Sequence, residues 1–500
     1  MIDLAYRPVA AVLVSLLAVP LIVASRRRPG LRETWTFLAA AAKLGLVASM
    51  LPTVIGGERV DAAPLELAPG FALHLRADAF GIVFATLASA LWLVTSVYSV
   101  GYMRAGKEPR QTGYFVAFAV CLSATIGIAL AANLVTFLVF YEVLTVATYP
   151  LVIHSRSPEA KRAGRRYLAY TMLAGQALLV AVVWTAAIAP GEELRAGGFL
   201  AGRAGPAVLV AIFVLFMIGC GAKAALLPLH GWLPDAMIAP TPVSALLHAV
   251  AVVKAGVFGC LRIVGWVFGI DLMSKLGLDL ALAVLAGTTI LVGSVRALAQ
   301  DELKRRLAYS TVSQLSYIVL GAALGSAPAI AGAVFHMVAH GFMKITLFFC
   351  AGAIHARHHL SRISELKGLG RRMPLTFGAF TLGALGLAGT PLLAGFVSKW
   401  QLGIGALDAS QPIYVAVLLT SGLLNLAYFF PIVRAAFFDG PTATETQEAG
   451  PLLTGPLLLT AAAALLLGIF PDAVASFHSL AWQVAGEIAS SPPQLAGGAP

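Results

Sequence analysis

The chain has 500 residues, 59% of them hydrophobic and only 11% charged, with a formal net charge of +11. Soluble domains run at about 45–50% apolar and about 25% charged, so a set of water-soluble domains, a disordered chain, a coiled coil and a disulfide scaffold are all excluded. Cys121, Cys220, Cys260 and Cys350 lie far apart in apolar runs and form no CxxC pair. That argues against iron–sulfur and zinc sites, and neither a metal nor a cofactor nor a catalytic group is expected.

A membrane-spanning helix needs about 20 apolar residues. Such runs predict helices over 8–25, 35–56, 79–103, 113–131, 133–153, 166–189, 206–227, 240–264, 279–298, 307–325, 328–355, 374–404, 411–433 and 454–471. The fold class is therefore all-α and polytopic, with fourteen transmembrane helices. The first run is not read as a cleaved signal peptide, because Arg26, Arg27 and Arg28 follow it in place of a small-residue cleavage site.

The connecting segments alternate in charge. In 26–33, 104–110, 156–166, 301–306 and 357–372, Lys and Arg exceed Asp and Glu by three, two, four, one and four. Segment 57–78 has an excess of two acids, 190–205 is neutral, and 405–410 carries one acid. Basic loops stay in the cytoplasm, which places both termini on the outer side of the cell (inner) membrane. The 434–450 loop, with Arg434, Asp439, Glu445 and Glu448, falls on the inner side and does not fit. The positive charge is thus a topology signal against the lipid bilayer, and no nucleic acid is expected as a partner.

Chemistry is expected where ionisable residues enter the hydrocarbon. Glu142, Lys223, Lys254, Lys344 and Lys399 each stand as the single charge in a long apolar stretch. A charge at mid-bilayer costs about 2.5–3.5 kcal/mol on insertion scales, so these five must face the bundle interior. One acid cannot pair with four lysines. The surplus lysines must be neutral or hydrated, and lysine, unlike arginine, can give up its proton. Such a set reads as a proton relay; a structural ion pair is the plainer alternative for any one of them. His336, His340 and Lys344 recur at i, i+4 and i+8 and line one helix face. His248 precedes Lys254 by six residues, about 120° around the helix, so the two need not face the same way. The HxxxH spacing suits zinc, but no third ligand is near.

Pro228 follows Lys223 closely, and Gly389, Pro391 and Gly395 interrupt the twelfth helix just before Lys399. Broken helices persist at membrane depth only where protein or cavity water satisfies the freed backbone. Helices four to eight and nine to thirteen form two five-helix blocks, each with its broken, lysine-bearing helix in fourth place. Five is odd, so the blocks enter from opposite sides, as inverted repeats do. The expected organisation is 1–112 (helices one to three), 113–264 and 265–437 (the two repeats) and 438–500 (last helix and tail).

The segments 137-FLVFYEVLTVATYPLV-152, 221-GAKAALLPLHGWLPDAMIAPTPVSALLHAVAVVKAG-256, 303-LKRRLAYSTVSQLSY-317, 335-FHMVAHGFMKITLFFCAGAI-354 and 386-GLAGTPLLAGFVSKW-400 resemble the antiporter-like membrane subunits shared by respiratory complex I (NADH:quinone oxidoreductase) and Mrp-type multisubunit cation/proton antiporters. The resemblance covers nearly the whole chain. It implies a hydrated proton path through Glu142, Lys223, His248, Lys254, His336, His340, Lys344 and Lys399, other membrane subunits as partners, and exchange of protons against a monovalent cation such as sodium. Length and the FYEVL…TYPLV stretch favour a D-like Mrp subunit. The alternatives are a pump subunit of a complex I-like or hydrogenase complex, and a membrane scaffold or partner in inorganic-carbon uptake.

Overall fold

The computed structural model describes residues 3–68, 71–440 and 446–489. The predicted Glu445 and the chain end at Pro500 lie outside them. Among the described residues, thirteen helices are long and apolar enough to cross a membrane, and a broken pair supplies a fourteenth crossing. In chain order they are α1 (Arg7–Ala24), α2 (Pro29–Ala48), α3 (Ala79–Ala105), α4 (Gln111–Ala129), α5 (Leu134–Val152), α6 (Pro158–Ile188), α7 (Pro206–Lys223), the composite α8 (Thr241–Phe268), α9 (Leu278–Leu298), α10 (Leu303–Leu324), α11 (Ala327–His358), the half-helices α12 (Pro374–Ala388) and α13 (Ala394–Asp408), α14 (Ile413–Phe438) and α15 (Pro451–Ile469). An even number of crossings leaves both ends of the described chain on one face.

The hydropathy scan placed all fourteen and erred in detail. Helices α2, α6 and α10 start four to eight residues before their predicted positions, because polar first turns project into the headgroup region and score badly. Helix α7 stops at Lys223, not at 227, and the twelfth segment is two helices. Two features escaped the scan. Residues 57–78 carry two small antiparallel pairs, with Val60–Asp61 on Arg76–Ala77 and Leu65–Ala68 on Phe71–Leu73. A further helix, α16 (Phe477–Ala489), is too short to span and lays Phe477, Leu480, Ala481, Val484, Ala485 and Ile488 against the bundle.

The acidic 434–450 loop has a local reason. Glu448 accepts hydrogen bonds from the Leu375 and Thr376 backbone N–H groups (2.6 and 3.2 Å) and from the Thr376 hydroxyl (2.6 Å). It caps the start of α12, where the helix dipole favours an anion. Its charge serves that terminus, so it does not count against the positive-inside pattern.

Helices α8 and α11 are wholly enclosed and α10 nearly so, whereas α1, α2 and α14 form the rim. The central position of α8 and α11 follows from their content: they carry Lys254, His248, His336, His340 and Lys344, which lipid would not tolerate. One fixed ion pair clamps the end of α8 to the start of α3. Arg262 donates to both Asp78 oxygens at 2.7 and 2.6 Å, and Asp78 also caps α3 by accepting from Gly81 N at 2.7 Å. Phe80, Phe258 and Trp266 surround the guanidinium. Burial alone would raise the Asp78 carboxyl; the guanidinium and the Gly81 N–H outweigh it and hold the carboxyl below the ordinary value. Its stabilising contribution is complete above about pH 4 and is lost as the pH falls through the lowered value.

Removing one partner of such a pair leaves a bare buried charge, costing about 3–5 kcal/mol. Arg262→Leu and Asp78→Leu are each expected to lower the melting temperature in detergent. The double variant should recover part of the loss, and a double as unstable as the two losses combined would show that the pair is not coupled.

Candidate proton path

Glu142 lies midway along α5, a helix begun by Asn133, whose side-chain oxygen accepts from Thr136 N at 2.8 Å. Its carboxylate points at α6, and its Oε1 is buried without a hydrogen-bond partner. Gly175 makes the room: a Cβ there would come within 2.5 Å of Oε1. Lys223, the last residue of α7, is fully buried. Its Nζ donates to the Tyr141 carbonyl at 2.6 Å and sits 3.3 Å from the centre of the Tyr141 ring. Among the described residues Lys223 forms no ion pair within 4.0 Å; Glu142, next in sequence to Tyr141, interacts with it at longer range. The neighbour that binds Lys223 is therefore a carbonyl and a ring face, which no count of charges could reveal.

Beyond Lys223 the backbone unwinds through Pro228. The freed groups find partners: Trp232 Nε1 donates to Ala222 O at 2.8 Å, and Leu227 N to the Thr289 hydroxyl at 3.3 Å. Gly256 of α8 rests on this break, where an added Cβ would lie 2.2 Å from Ala224 N. The Lys223 carbonyl carbon lies 2.5 Å from that Cβ position, so the first group of charges packs here on the helix that carries Lys254.

The second group is continuous. Lys254 Nζ donates to Met337 O at 2.8 Å and pairs with His340 Nδ1 at 2.9 Å. The His340 and His336 rings are 6.1 Å apart. His336 Nδ1 meets Ser398 Oγ at 2.8 Å, and its ring stacks 5.4 Å from Tyr317. Lys399 Nζ lies 4.9 Å from the Tyr317 ring centre and donates to Leu387 O at 2.5 Å. Leu387 is in the last turn of α12; Gly389 N and Thr390 N serve the Leu385 and Gly386 carbonyls, and the turn of the chain at Gly389 leaves the Leu387 carbonyl to side chains. The lysine therefore caps the negative end of that half-helix dipole. Gly389 (φ +95°) turns the chain there, and a Cβ on it would press to 3.0 Å from Lys399 Cδ. Pro391 stands in the connection, and Gly395 packs directly on the Gly386 carbonyl.

Lys344 departs from the line expected on α11. It leaves the histidines and donates to Ser310 Oγ at 2.9 Å. Ser310 Oγ also lies 3.0 Å from the Tyr428 hydroxyl, which in turn contacts Asn425 Oδ1. His248 stands apart: it lies in a π-helical widening, Leu246–Val250, with Phe348 against its ring (4.8 Å) and both ring nitrogens buried without partners. The structure thus joins Lys254, His340, His336 and Lys399 in one row, sets Lys344 on a branch, and leaves Glu142 and Lys223 as a separate group.

Sequence reasoning missed the neutral partners Tyr141, Ser310, Tyr317, Ser398, Asn425 and Tyr428. Their signal was polar spacing within apolar helices, as in Ser310, Gln314 and Tyr317 or Ser421, Asn425 and Tyr428. It also missed Lys43, the only charge in its apolar run. Lys43 is fully buried, donates to Ala11 O at 2.8 Å and lies 5.6 Å from the Trp92 ring centre.

These features define a many-helix membrane protein with a buried row of ionisable side chains. The chain belongs to the NADH:quinone oxidoreductase/Mrp antiporter transmembrane family, whose model matches residues 131–424. It is 31% identical to NADH-quinone oxidoreductase subunit N of Desulforudis audaxviator, across 93% of this chain and 98% of that one. It is 33% identical to the A/B subunit of a probable K(+)/H(+) antiporter of Rhizobium meliloti, across 85% of this chain and 43% of that one. Among solved structures it resembles a chain of the Mrp complex from Dietzia sp., with TM-score 0.87, 25% identity and 98% coverage of both chains.

Gly175→Ala is expected to lower transport several-fold at unchanged membrane abundance. The methyl must displace a flexible carboxylate and not backbone, so folding is spared while Glu142 moves. Abundance and vesicle transport, measured together, check this.

Proposed function

We propose that this chain is the proton-translocating subunit of a multisubunit monovalent cation/proton antiporter, sodium being the cation, and that within an Mrp-type complex it is the D-like subunit. The observation that carries the reading is the row Lys254–His340–His336–Lys399, in which side-chain contacts link each group to the next, the last through the Tyr317 ring, and among the described residues no carboxylate lies within ion-pair distance. Each of these groups can release its proton without breaking an ion pair. Glu142 and Lys223 form the first station, His248 and Lys344 the side stations. The residues fall in two inverted five-helix blocks, 113–264 and 265–437, and both termini face outward from the inner membrane. The likeness to the Mrp complex over the whole chain supports the antiporter assignment. A second reading, a pump subunit of a complex I-like assembly, is favoured by the similarity to subunit N over 98% of that protein. Mass spectrometry of the co-purified partners separates the two: small antiporter subunits support the first, redox subunits the second.

Lys399→Ala is expected to abolish transport with assembly intact. Lys399→Arg should fail as well, since arginine keeps its proton. Full activity of the arginine variant in vesicles would mean that Lys399 supplies only fixed charge.

Glu142→Gln keeps the shape and removes the only buried acid of the set. Transport should be lost while membrane abundance holds. Equal loss of both would identify a structural role instead.

A further inference from the structure

The buried row has a polar continuation that the proton path above does not use. Helix α13 carries Gln401 one turn beyond Ser398, the partner of His336. Gln401 is 7% exposed, and its Nε2 lies 2.7 Å from His478 Nε2 on α16. Trp482 Nε1 also approaches His478 Nε2, at 3.3 Å. The other ring nitrogen, Nδ1, is 3.7 Å from Asp472 Oδ2. Asp472 in turn fixes the start of α16, accepting from Ser479 N (2.7 Å) and the Ser479 hydroxyl (2.9 Å). Phe335, adjacent to His336, sets its ring edge-on against the His478 ring at 5.7 Å.

Exposure rises along this series. His336 is fully buried and Gln401 nearly so, while the side chains of His478 and Asp472 are 28% and 44% exposed. At the inner end, two buried polar atoms have no partner: His336 Nε2 and Gln401 Oε1. They belong to neighbouring helices at one level. Gly332, one turn from His336, is packed so tightly on α13 that an added Cβ would lie 3.1 Å from Gln401 Cβ. Buried polar atoms are rarely left bare, and a single water needs two to four such partners.

We propose that His478 is the group through which the buried row exchanges protons with water on the membrane face that carries α16, with Gln401 as its positioning residue. The proposal rests on the relay reading. With two N–H donors aimed at it, Nε2 is the acceptor of the neutral ring and Nδ1 carries the hydrogen toward Asp472. A proton arriving through water beside Gln401 binds Nε2. The Nδ1 proton then leaves to water at Asp472, and the ring returns to its first tautomer by trading both hydrogens with that same outer water, Nε2 giving one up and Nδ1 taking one. One proton enters and one leaves, with no other bond changed. The Gln401 amide serves both states, since its NH2 faces a neutral ring and its carbonyl, after a flip, a protonated one. The charged group at His478 is Asp472. The next titratable groups inward are Lys399 on α13 and His336 on α11.

The test uses the full chain in its complex, in sealed vesicles, with His478→Ala, Gln401→Leu and Lys254→Met compared at matched abundance. His478→Ala should transport protons about a hundredfold more slowly, the low end for loss of a positioned proton-transfer group. A membrane-impermeant imidazole buffer on the α16 face (carnosine) should restore much of the rate, which a merely structural role would not allow. Lys254→Met should be inactive and insensitive to the buffer. Wild-type transport by His478→Ala, with Lys254→Met inactive, overturns the proposal and leaves the relay standing. Loss without rescue, together with wild-type transport by His478→Gln, also overturns it. An active Lys254→Met beside a slow, buffer-rescued His478→Ala overturns the relay reading and keeps His478 as the exchange group. If His478→Ala fails to accumulate, Gln401→Leu decides: slowed transport supports the proposal and a wild-type rate overturns it.

Discussion

An ammonium group enclosed in a low-dielectric bundle, with no carboxylate against it, is the constraint on which this structure depends. Taking such a charge from water costs several kcal/mol even after relaxation. The chain meets that cost in two different ways. Arginines pair with acids near the helix ends: Arg262 with Asp78, Arg166 with Asp235, Arg76 with Asp61 and Glu193, Arg203 with Glu192. The buried lysines instead meet neutral acceptors. Lys43 has Ala11 O, Lys223 has Tyr141 O, Lys254 has Met337 O and His340, Lys344 has Ser310, and Lys399 has Leu387 O. Among the described residues no lysine takes part in an ion pair at all. An arginine holds its proton in every state, so a fixed partner suits it. A lysine against a carbonyl or a hydroxyl keeps a place for itself whether charged or neutral, which is what a proton-carrying role demands.

An interrupted helix supplies one of those acceptors and the room around it. A regular helix uses its carbonyls on itself; one that stops at membrane depth leaves up to four of them unclaimed. At Gly389 the stop frees Leu387 O for Lys399. At Lys223 the helix ends at the charge, and the unwound segment is held by Trp232 and Thr289. The two lysines lie on opposite sides of their breaks, Lys223 before and Lys399 after. Close packing then holds the breaks in place: Gly256 admits α8 onto the unwound end of α7, and Gly332 admits α11 onto α13.

The fourteen crossings were legible because a 20-residue apolar run has few alternative explanations. The charged candidates were legible for the same reason, standing alone where lipid would reject them. Pairing was not. The sequence marks Glu142 and Lys223 as isolated charges but not the hydrogen bond of the lysine, which goes to the Tyr141 carbonyl, an acceptor that every residue carries and no sequence pattern marks. Lys344 was expected in line with the histidines, since i, i+4 and i+8 share a face. That stripe drifts around the axis with length, and four rotatable bonds carry the ammonium to α10. Helix α16 was invisible to a scan for spanning lengths, although its apolar spacing was present in the sequence.

The two groups of charges also differ in kind. Glu142 and Lys223 form a nearby acid and base whose charges sum to zero when both are ionised. The group on α8, α11 and α13 contains three lysines and two adjoining histidines, with Ser310, Tyr428 and Asn425 where a carboxylate would otherwise stand. Were all three lysines protonated, they would repel one another, and more strongly in a medium of low dielectric than in water. The two groups adjoin where Gly256 of α8 packs on the unwound end of α7.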